Sequence, residues 1–410
     1  MMNNHKNLFN TLKYIFISGI SKGLTYLLLF VFALKFSSSD YINLLLLISF
    51  EQFLNIILPL NNTNIIYSEK IHDYQTITNK LTSSSILLVI FFVFTYYFTG
   101  SYIADYFNNS NYLLYLSIFI NVFFNGYFTY LISLLKIKEK HSAALHVQSL
   151  YFIIFISIII SLFIFNNKLF AYFVGKTFGF ILMLVIVKYL KLNPVNNFRF
   201  KRLNTRETKI IINLISIGIL GWISGLGFMN LAKIYASGDI LIRLGYILNI
   251  WNVFLLISIG INSVYFPKVK KHIINNNLKV AISIKFKMLA IYLAISLLFY
   301  ILYLIYKSSG LLEINSNDKL NDIILEFPNA ILLFALTSFY YTINPFYLIK
   351  DKFATFNILI IISFIFWALV ILLCSFFNMS NFILFLILLY AIKSITLYLF
   401  GFKYILKLHD

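Results

Sequence analysis

Runs of about twenty mostly apolar residues, separated by short polar stretches, recur along the whole chain. Each run is long enough to cross roughly 30 Å of hydrocarbon as an α-helix. The pattern predicts an all-α integral membrane protein with about twelve transmembrane helices. The predicted spans are 12–35, 41–65, 81–99, 112–135, 145–165, 169–187, 210–235, 241–266, 288–306, 323–349, 353–376 and 381–401.

The composition excludes a soluble globular protein. Hydrophobic residues make up 60% of the 410 positions and charged residues 11%, with a mean hydropathy of +0.86. Soluble domains are closer to half apolar and a quarter charged. The net charge of +19 does not indicate nucleic-acid binding, because the cations lie mostly in short loops between spans. The single cysteine predicts neither a disulfide framework nor a cysteine-rich metal site.

The distribution of basic residues predicts the orientation of the chain. With the N-terminus inside, the cytoplasmic segments hold 24 of the 33 Lys and Arg residues, and the outer loops hold three. This excess in short loops is the positive-inside signal. We therefore predict that both termini are cytoplasmic.

A basic segment at 188–209 divides the predicted spans into two sets of six. It carries seven cations and Pro194 and has no apolar periodicity. We interpret it as a cytoplasmic linker between an N-terminal lobe, 1–187, and a C-terminal lobe, 210–410. Attraction to anionic lipids of the inner leaflet is the simplest role for its cations.

Short motifs recur in the same order in both lobes. The tripeptide KEK at 138–140 corresponds to KDK at 350–352, and KT at 176–177 corresponds to KS at 393–394. Six spans return the chain to the same side of the membrane, so the lobes are predicted to be parallel repeats related by a pseudo-twofold axis along the membrane normal. This arrangement predicts a substrate path at the interface of the lobes.

Ionisable residues at membrane depth are the candidate functional residues, because an isolated charge there costs several kcal/mol. Lys22 and Glu51 lie within roughly 5 Å of the same depth on neighbouring spans, so an ion pair between them and a substrate role both remain open. Lys176 and Lys393 have no acidic neighbour at comparable depth on adjacent spans. A water-filled cationic cavity explains them better than snorkelling or bonding to backbone carbonyls.

Other candidates have structural interpretations. Asp239 and Arg243 are spaced i, i+4 at the outer start of the eighth span, which favours a local salt bridge over a substrate role. The glycines of span seven include Gly221 and Gly225, a spacing that predicts close helix packing or bending. The sequence carries no P-loop, dinucleotide fingerprint, nucleophile elbow or zinc-type cluster, so we predict a protein that is not an enzyme and has no metal site.

Several segments resemble one family of membrane proteins. They are GISKGLTYLLLFVFALKFSSSDYINLLLLISFEQFLNIILPL at 19–60, LLKIKEKHSAAL at 134–145, YLIKDKFATF at 347–356, and Pro267 at the end of span eight. With twelve spans in two lobes, the chain resembles the bacterial O-antigen repeat-unit flippases of the multidrug/oligosaccharidyl-lipid/polysaccharide (MOP) exporter superfamily.

This resemblance implies a function and a location. The flippases move an undecaprenyl-diphosphate-linked oligosaccharide from the inner to the outer leaflet of the bacterial inner membrane, by alternating access through a cationic cavity between the lobes. By position, Lys22, Lys176 and Lys393 would line that cavity. Span two departs from the family pattern, since it has Glu51 and no arginine at mid-membrane.

The resemblance also implies partners. These are the lipid-linked substrate, membrane lipids, and the polymerase and chain-length regulator of the same pathway, with no nucleic acid and no cofactor. Proton or sodium coupling remains open. Outward movement of anionic charge is favoured by about 2.3 kcal/mol per charge per 100 mV when the interior is negative, so ATP hydrolysis is not required.

Two alternatives come from other classes. An O-antigen polymerase, an integral-membrane glycosyltransferase, resembles this chain in length, but such enzymes carry a large outer loop with arginine. The outer loop at 307–322 has no arginine, which disfavours that enzyme. A multidrug cation antiporter shares the flippase architecture but is expected to place carboxylates in its lumen, whereas this chain has Glu51 against three lysines at mid-membrane.

Overall fold

The computed structural model describes residues 23–24, 27–60, 74–107, 109–138, 140–192, 199–309, 318–349, 352–376 and 381–406. These residues form α-helices joined by short turns, without a β-strand among them. Ten of the described helices are long and apolar enough to cross a membrane, judged by length and composition. The predicted all-α membrane fold is confirmed.

The other two predicted spans are the first and the seventh. Most of the first, 12–35, lies outside the described residues, and its described part is helical at 27–35. The seventh is broken by a turn at 224–226. Its first piece, Thr205–Ile223, begins with a charged turn that contains Arg206, Glu207 and Lys209.

The described chain forms two compact units. The N-terminal unit contains residues 43–222 and the short stretch 23–24, and the C-terminal unit contains 27–42 and 223–406. The helices are α1 (27–35), α2 (Ser38–Ile57), α3 (Tyr74–Phe107), α4 (Tyr112–Ile137), α5 (His141–Ser149), α6 (Tyr151–Ile164), α7 (Lys168–Tyr189), α8 (Thr205–Ile223), α9 (Gly227–Ala232), α10 (Gly238–Ile274), α11 (Leu278–Ser308), α12 (Asp318–Leu325), α13 (Phe327–Ile349), α14 (Phe353–Phe376) and α15 (Phe382–Leu406).

Glycines bring α6 and α7 of the N-terminal unit close together. A Cβ atom on Gly175 would lie 2.6 Å from Ile158 Cα, and one on Gly179 would lie 2.6 Å from Ile154 Cα. Two small residues four apart let the helix backbones approach, as in membrane helix pairs generally. A Cβ on Gly221 would meet no described atom within 4 Å, so Gly221 is not at a close helix contact, and the turn at 224–226 fits the other prediction, bending.

Helix α13 lies at the centre of the C-terminal unit. It packs against α10, α11, α14 and α15. Its buried hydroxyls at Thr337, Ser338 and Thr342 donate hydrogen bonds of 2.6, 2.8 and 2.7 Å to carbonyl oxygens one turn earlier. The polar side chains are therefore satisfied within the helix and do not need water.

The predicted cytoplasmic segment 267–287 is a helical hairpin and not a loop. Helix α10 continues to Ile274, and α11 begins at Leu278. In the turn between them Asn276 adopts a left-handed conformation with φ +55°, and the Asn277 amide donates to the His272 carbonyl at 2.8 Å. This is the bonding of a Schellman motif, in which asparagine is the usual substitute for glycine.

The second half of the predicted linker, 199–209, is attached to α3. The Lys80 ammonium forms a salt bridge of 2.7 Å with Glu207, and the Lys201 amide donates to Ser83 Oγ at 3.2 Å. Asn204 and Glu207 cap the start of α8 reciprocally, each side chain accepting from the other's backbone amide. Residues 193–198 lie outside the described part of the chain.

Candidate functional site

Two of the predicted site residues, Glu51 of α2 and Lys176 of α7, meet in the N-terminal unit. The Lys176 ammonium lies 2.7 and 2.6 Å from the two carboxylate oxygens of Glu51. The Glu51 side chain is only 4% exposed and that of Lys176 14% exposed. Both partners are shielded from water, so each charge depends on the other for neutralisation, which is not the case in a surface contact.

A hydrogen-bond network that includes the backbone carbonyl of Glu51 lies next to this ion pair. The Asn55 amide donates to the Glu51 carbonyl oxygen at 3.0 Å, and its own side-chain oxygen accepts from Asn125 Nδ2 at 3.0 Å. The Asn125 side-chain oxygen also accepts from the Tyr151 hydroxyl at 3.4 Å. Side chains of α2, α4 and α6 are therefore linked in one polar network that begins at Glu51.

Thr177, the residue after Lys176, fixes α7 beside this network. The Thr177 hydroxyl lies 2.9 Å from Asn121 Oδ1, and Asn121 Nδ2 donates to the Phe173 carbonyl oxygen at 3.0 Å. The Lys176 ammonium also lies 5.5 Å from the centre of the Tyr172 ring. These contacts set the rotation of α7, which directs Lys176 toward α2.

The prediction that Lys176 has no acidic neighbour is wrong, since Glu51 neutralises it. Depth along the spans predicts Lys22 as the partner of Glu51, but depth does not show that Lys176 of α7 reaches Glu51 of α2. Lys22 lies outside the described residues, so its proposed pairing with Glu51 stays a prediction.

Lys393 of α15 lies inside the C-terminal unit in a cage of hydroxyl and aromatic groups. The residue is 2% exposed, and its ammonium donates to Ser224 Oγ at 2.9 Å. The same nitrogen lies 4.2 Å from the centre of the Tyr340 ring and 5.4 Å from that of Tyr390. The negative faces of aromatic rings stabilise a desolvated cation by about 2 kcal/mol.

The cage is held by a second layer. The Tyr390 ring packs edge-on against Trp251 with centroids 5.5 Å apart, and Trp251 Nε1 donates to Thr337 Oγ1 at 3.2 Å. Within the described part of the chain, no carboxylate lies within ion-pair distance of Lys393. The two lysines that correspond in the sequence repeats therefore differ, because Lys176 is neutralised by a carboxylate and Lys393 is surrounded by hydroxyls and rings.

Arg243 has a different partner from the one predicted. Its Nε lies 2.5 Å from Glu326 Oε1, and Glu326 Oε2 accepts from Asn329 Nδ2 at 2.8 Å. Asp239 is exposed at the start of α10. The predicted salt bridge with Asp239 is thus replaced by one with Glu326, which joins α10 to the segment preceding α13. The long Arg243 side chain reaches the Glu326 carboxylate, which is 3% exposed.

The sequence analysis missed Lys285 of α11. It was assigned to a cytoplasmic segment, but it is 1% exposed, and its ammonium donates to Asn262 Oδ1 at 3.3 Å. The error follows from placing the start of the span at 288, since α11 begins at Leu278 and turns Lys285 toward α10.

The fold was compared with known proteins. No protein-family model and no curated protein matches the chain. Solved structures do match, over 98% of this chain and 96% of theirs. They include a eukaryotic MATE transporter at 12% identity and TM-score 0.66, and an outward-facing multidrug resistance MATE family transporter of the MOP superfamily at 12% and 0.65. The chain has the MATE transporter fold.

Another similar structure shows that pockets differ within this fold. It is a MOP superfamily transporter from Pyrococcus furiosus, at 12% identity and TM-score 0.63 over the same shares of both chains. Its binding pocket has reversed polarity, which suggests a different function for that protein. The all-α membrane fold predicted from the sequence is confirmed, and at such low identity the likeness concerns the fold alone.

Proposed function

We propose that this protein is a membrane transporter that moves an anionic, lipid-linked oligosaccharide from the inner to the outer leaflet of the bacterial inner membrane. The substrate class is an undecaprenyl-diphosphate-linked repeat unit of O-antigen or a related polysaccharide. The observation that carries this proposal is the Lys393 cage, a buried ammonium surrounded by tyrosines with no carboxylate in contact among the described residues.

The chemistry of the cage suits a diphosphate-linked sugar. A buried ammonium without a counter-ion gains more from an incoming phosphate than one that is already neutralised, since charge-assisted hydrogen bonds are the stronger ones. The Tyr340 and Tyr390 rings supply flat faces for sugar rings and hydroxyls for their polar edges. Because Lys393 is 2% exposed here, substrate binding requires a state in which the cage opens, as alternating access provides.

In this proposal the Lys176–Glu51 pair has a different role from Lys393. An ammonium neutralised by a carboxylate attracts a phosphate weakly, so Lys176 becomes available only when Glu51 moves away. Lys22 remains a candidate for the same substrate path. The polymerase and chain-length regulator of the pathway remain the partners that the family resemblance implies.

A multidrug cation antiporter is the second candidate function. The buried Glu51 carboxylate favours it, because a desolvated carboxylate is the group that binds an organic cation or a coupling proton. The similar structure of a multidrug resistance transporter adds to this argument at the level of fold. For this candidate Glu51 would be the functional residue, and Lys176 would be its partner in the empty state.

Transport in reconstituted vesicles separates the two candidates. Purified protein would be tested for flipping of a fluorescent undecaprenyl-diphosphate oligosaccharide and, separately, for transport of a fluorescent organic cation. Lys393→Gln is expected to reduce flipping about tenfold or more, which corresponds to about 1.4 kcal/mol of lost substrate interaction. Lys285→Gln is the matched control, since it also removes a buried lysine from the C-terminal unit but lies outside the cage.

The outcomes distinguish the functions. Flipping that depends on Lys393 and survives Lys285→Gln supports the proposal. Transport of the organic cation that depends on Glu51, without flipping of the lipid-linked sugar, supports the antiporter. Wild-type flipping in Lys393→Gln would overturn the role assigned to the cage.

A further inference from the structure

The hairpin formed by the end of α10 and the start of α11 presents a basic surface that the proposed function does not use. Its exposed lysines are Lys268, Lys271, Lys279 and Lys287. The sequence between Asp239 and Glu313 contains no Asp or Glu, so the hairpin has no carboxylate of its own to neutralise them. A surface of this kind fits an anionic partner.

Exposed apolar side chains lie among these lysines. Ile274 is 47% exposed at the end of α10, and Val280 and Phe286 are 38% and 44% exposed on α11. Beneath them, Val269, Ile273 and Leu278 are buried in a hydrophobic cluster that holds the two helices together. The exposed apolar residues lie outside this cluster. Cations interspersed with apolar anchors are the pattern of a segment that lies in a membrane interface.

The position of α11 places this surface at the height of lipid head groups. Between Lys287 and Lys307 the helix carries 19 uncharged residues, which span about 28 Å, close to the roughly 30 Å of hydrocarbon. Exposed side chains of that stretch, such as Leu297 and Ile301, have the character of a lipid-facing surface. Lys287 therefore lies at one edge of the hydrocarbon, and Lys279 lies about 12 Å beyond it along the axis.

We infer that this hairpin binds anionic lipid head groups of the inner leaflet, with Lys279 and Lys287 contacting lipid phosphates and with Ile274, Val280 and Phe286 lying among the head groups. The positive-inside distribution places the hairpin on the cytoplasmic side, where anionic lipids attract basic segments. A free soluble phosphate would satisfy the lysines, but it would not account for the exposed apolar residues between them.

Lipid-selective quenching in nanodiscs tests this inference on the full-length protein. The single cysteine is removed by Cys374→Ser, and Ile274→Cys then carries an environment-sensitive fluorophore. The protein is placed in phosphatidylcholine discs that contain phosphatidylglycerol, with the spin-label quencher attached to one lipid or the other. We expect stronger quenching by the labelled phosphatidylglycerol than by the labelled phosphatidylcholine. Replacing Lys279 or Lys287 by Gln should reduce this preference about fivefold for each lysine replaced.

A matched control uses lysines of the same predicted side outside the hairpin. Lys188→Gln with Lys191→Gln removes two exposed cations near the end of α7, and it should leave the preference unchanged. Equal quenching by the two lipids would overturn the inference, as would a preference that survives in the Lys279→Gln, Lys287→Gln protein. A fluorophore quenched by neither lipid would also overturn it, since the surface would then face water or a protein partner.

Discussion

At the scale of single residues, the buried cations of this protein are distinguished by their partners. Lys176 faces a carboxylate, Lys393 faces a hydroxyl and two aromatic rings, and Lys285 faces an amide oxygen. All three are lysines in or beside apolar runs, so the hydropathy of the sequence does not distinguish them from one another. Lys176 is neutralised by its carboxylate, whereas Lys285 and Lys393 have no carboxylate within ion-pair distance among the described residues.

The Lys176–Glu51 pair predicts a specific energetic coupling. Glu51→Gln alone leaves a buried ammonium unpaired and should destabilise the protein by about 3 to 5 kcal/mol, whereas Glu51→Gln with Lys176→Met should recover much of that loss. Thermal unfolding in detergent of the wild type, the two single variants and the double variant measures the coupling energy.

A second double-mutant cycle, with a residue away from the ion pair, is the control. Lys188→Gln, at the exposed end of the same helix, should show no coupling with Glu51→Gln. If the Glu51 and Lys176 substitutions proved additive, the ion pair would not contribute to stability, and Glu51 would have to be explained by Lys22 or by a ligand.

The sequence could identify these charges but not their partners. Depth along a span follows from counting residues, so the burial of Glu51, Lys176 and Lys393 could be predicted. Rotation of each helix about its axis and the choice of neighbouring helix depend on packing, and no residue count provides them. For this reason the neutralisation of Lys176 by Glu51 and the pairing of Arg243 with Glu326 were both missed.

At the scale of helices, the contact between α6 and α7 is sensitive to substitution. Gly175→Val should destabilise the protein by about 1 to 3 kcal/mol, because the added atoms have no space next to the Ile158 backbone. Since Lys176 follows directly, displacement of α7 should also weaken its ion pair with Glu51. Thermal unfolding of the purified protein measures the loss of stability.

Gly221 of α8 gives the matched control. Gly221→Ala places a methyl group where no atom lies within 4 Å, and alanine is favoured over glycine in a helix by about 1 kcal/mol. The melting temperature should therefore stay the same or rise. A substitution at Gly175 as harmless as the one at Gly221 would show that the helices separate at low cost.

Helix boundaries show a second limit of the sequence pattern. The spans of α4 and α7 were predicted to within two residues, because polar residues mark both ends, and Asn111 and Asn167 cap their first turns. The start of α11 was misplaced by ten residues, since helical residues that continue beyond the hydrocarbon carry lysines and look like a loop. Hydropathy locates the part of a helix inside the membrane and not the helix itself.

At the scale of the whole molecule, the all-α membrane fold could be predicted, because in a bilayer each backbone polar group must be satisfied within its own helix. The predicted lobes, 1–187 and 210–410, and their pseudo-twofold relation stay predictions. The substrate could not be read from the fold, since similar folds carry pockets of opposite polarity. The sign of the transported charge is therefore the property to measure.

The membrane potential acts in opposite directions on the two candidate substrates. With the interior negative, outward movement of a diphosphate-linked sugar without a compensating ion is favoured by about 2.3 kcal/mol per charge per 100 mV, or about fiftyfold in the final distribution between leaflets. An organic cation moved outward alone is opposed by the same amount. Proteoliposomes with a potassium diffusion potential set by valinomycin measure this dependence for a fluorescent lipid-linked oligosaccharide.

The number of charges on the lipid carrier supplies the control. A monophosphate-linked analogue carries less charge than the diphosphate, so its distribution should depend less steeply on the potential, and reversing the potential should reverse both preferences. A distribution of the diphosphate cargo that ignores the potential would contradict uncoupled transport of the anion. In that case a cation must move with the substrate, and the buried Glu51 carboxylate would be the first group to test for carrying it.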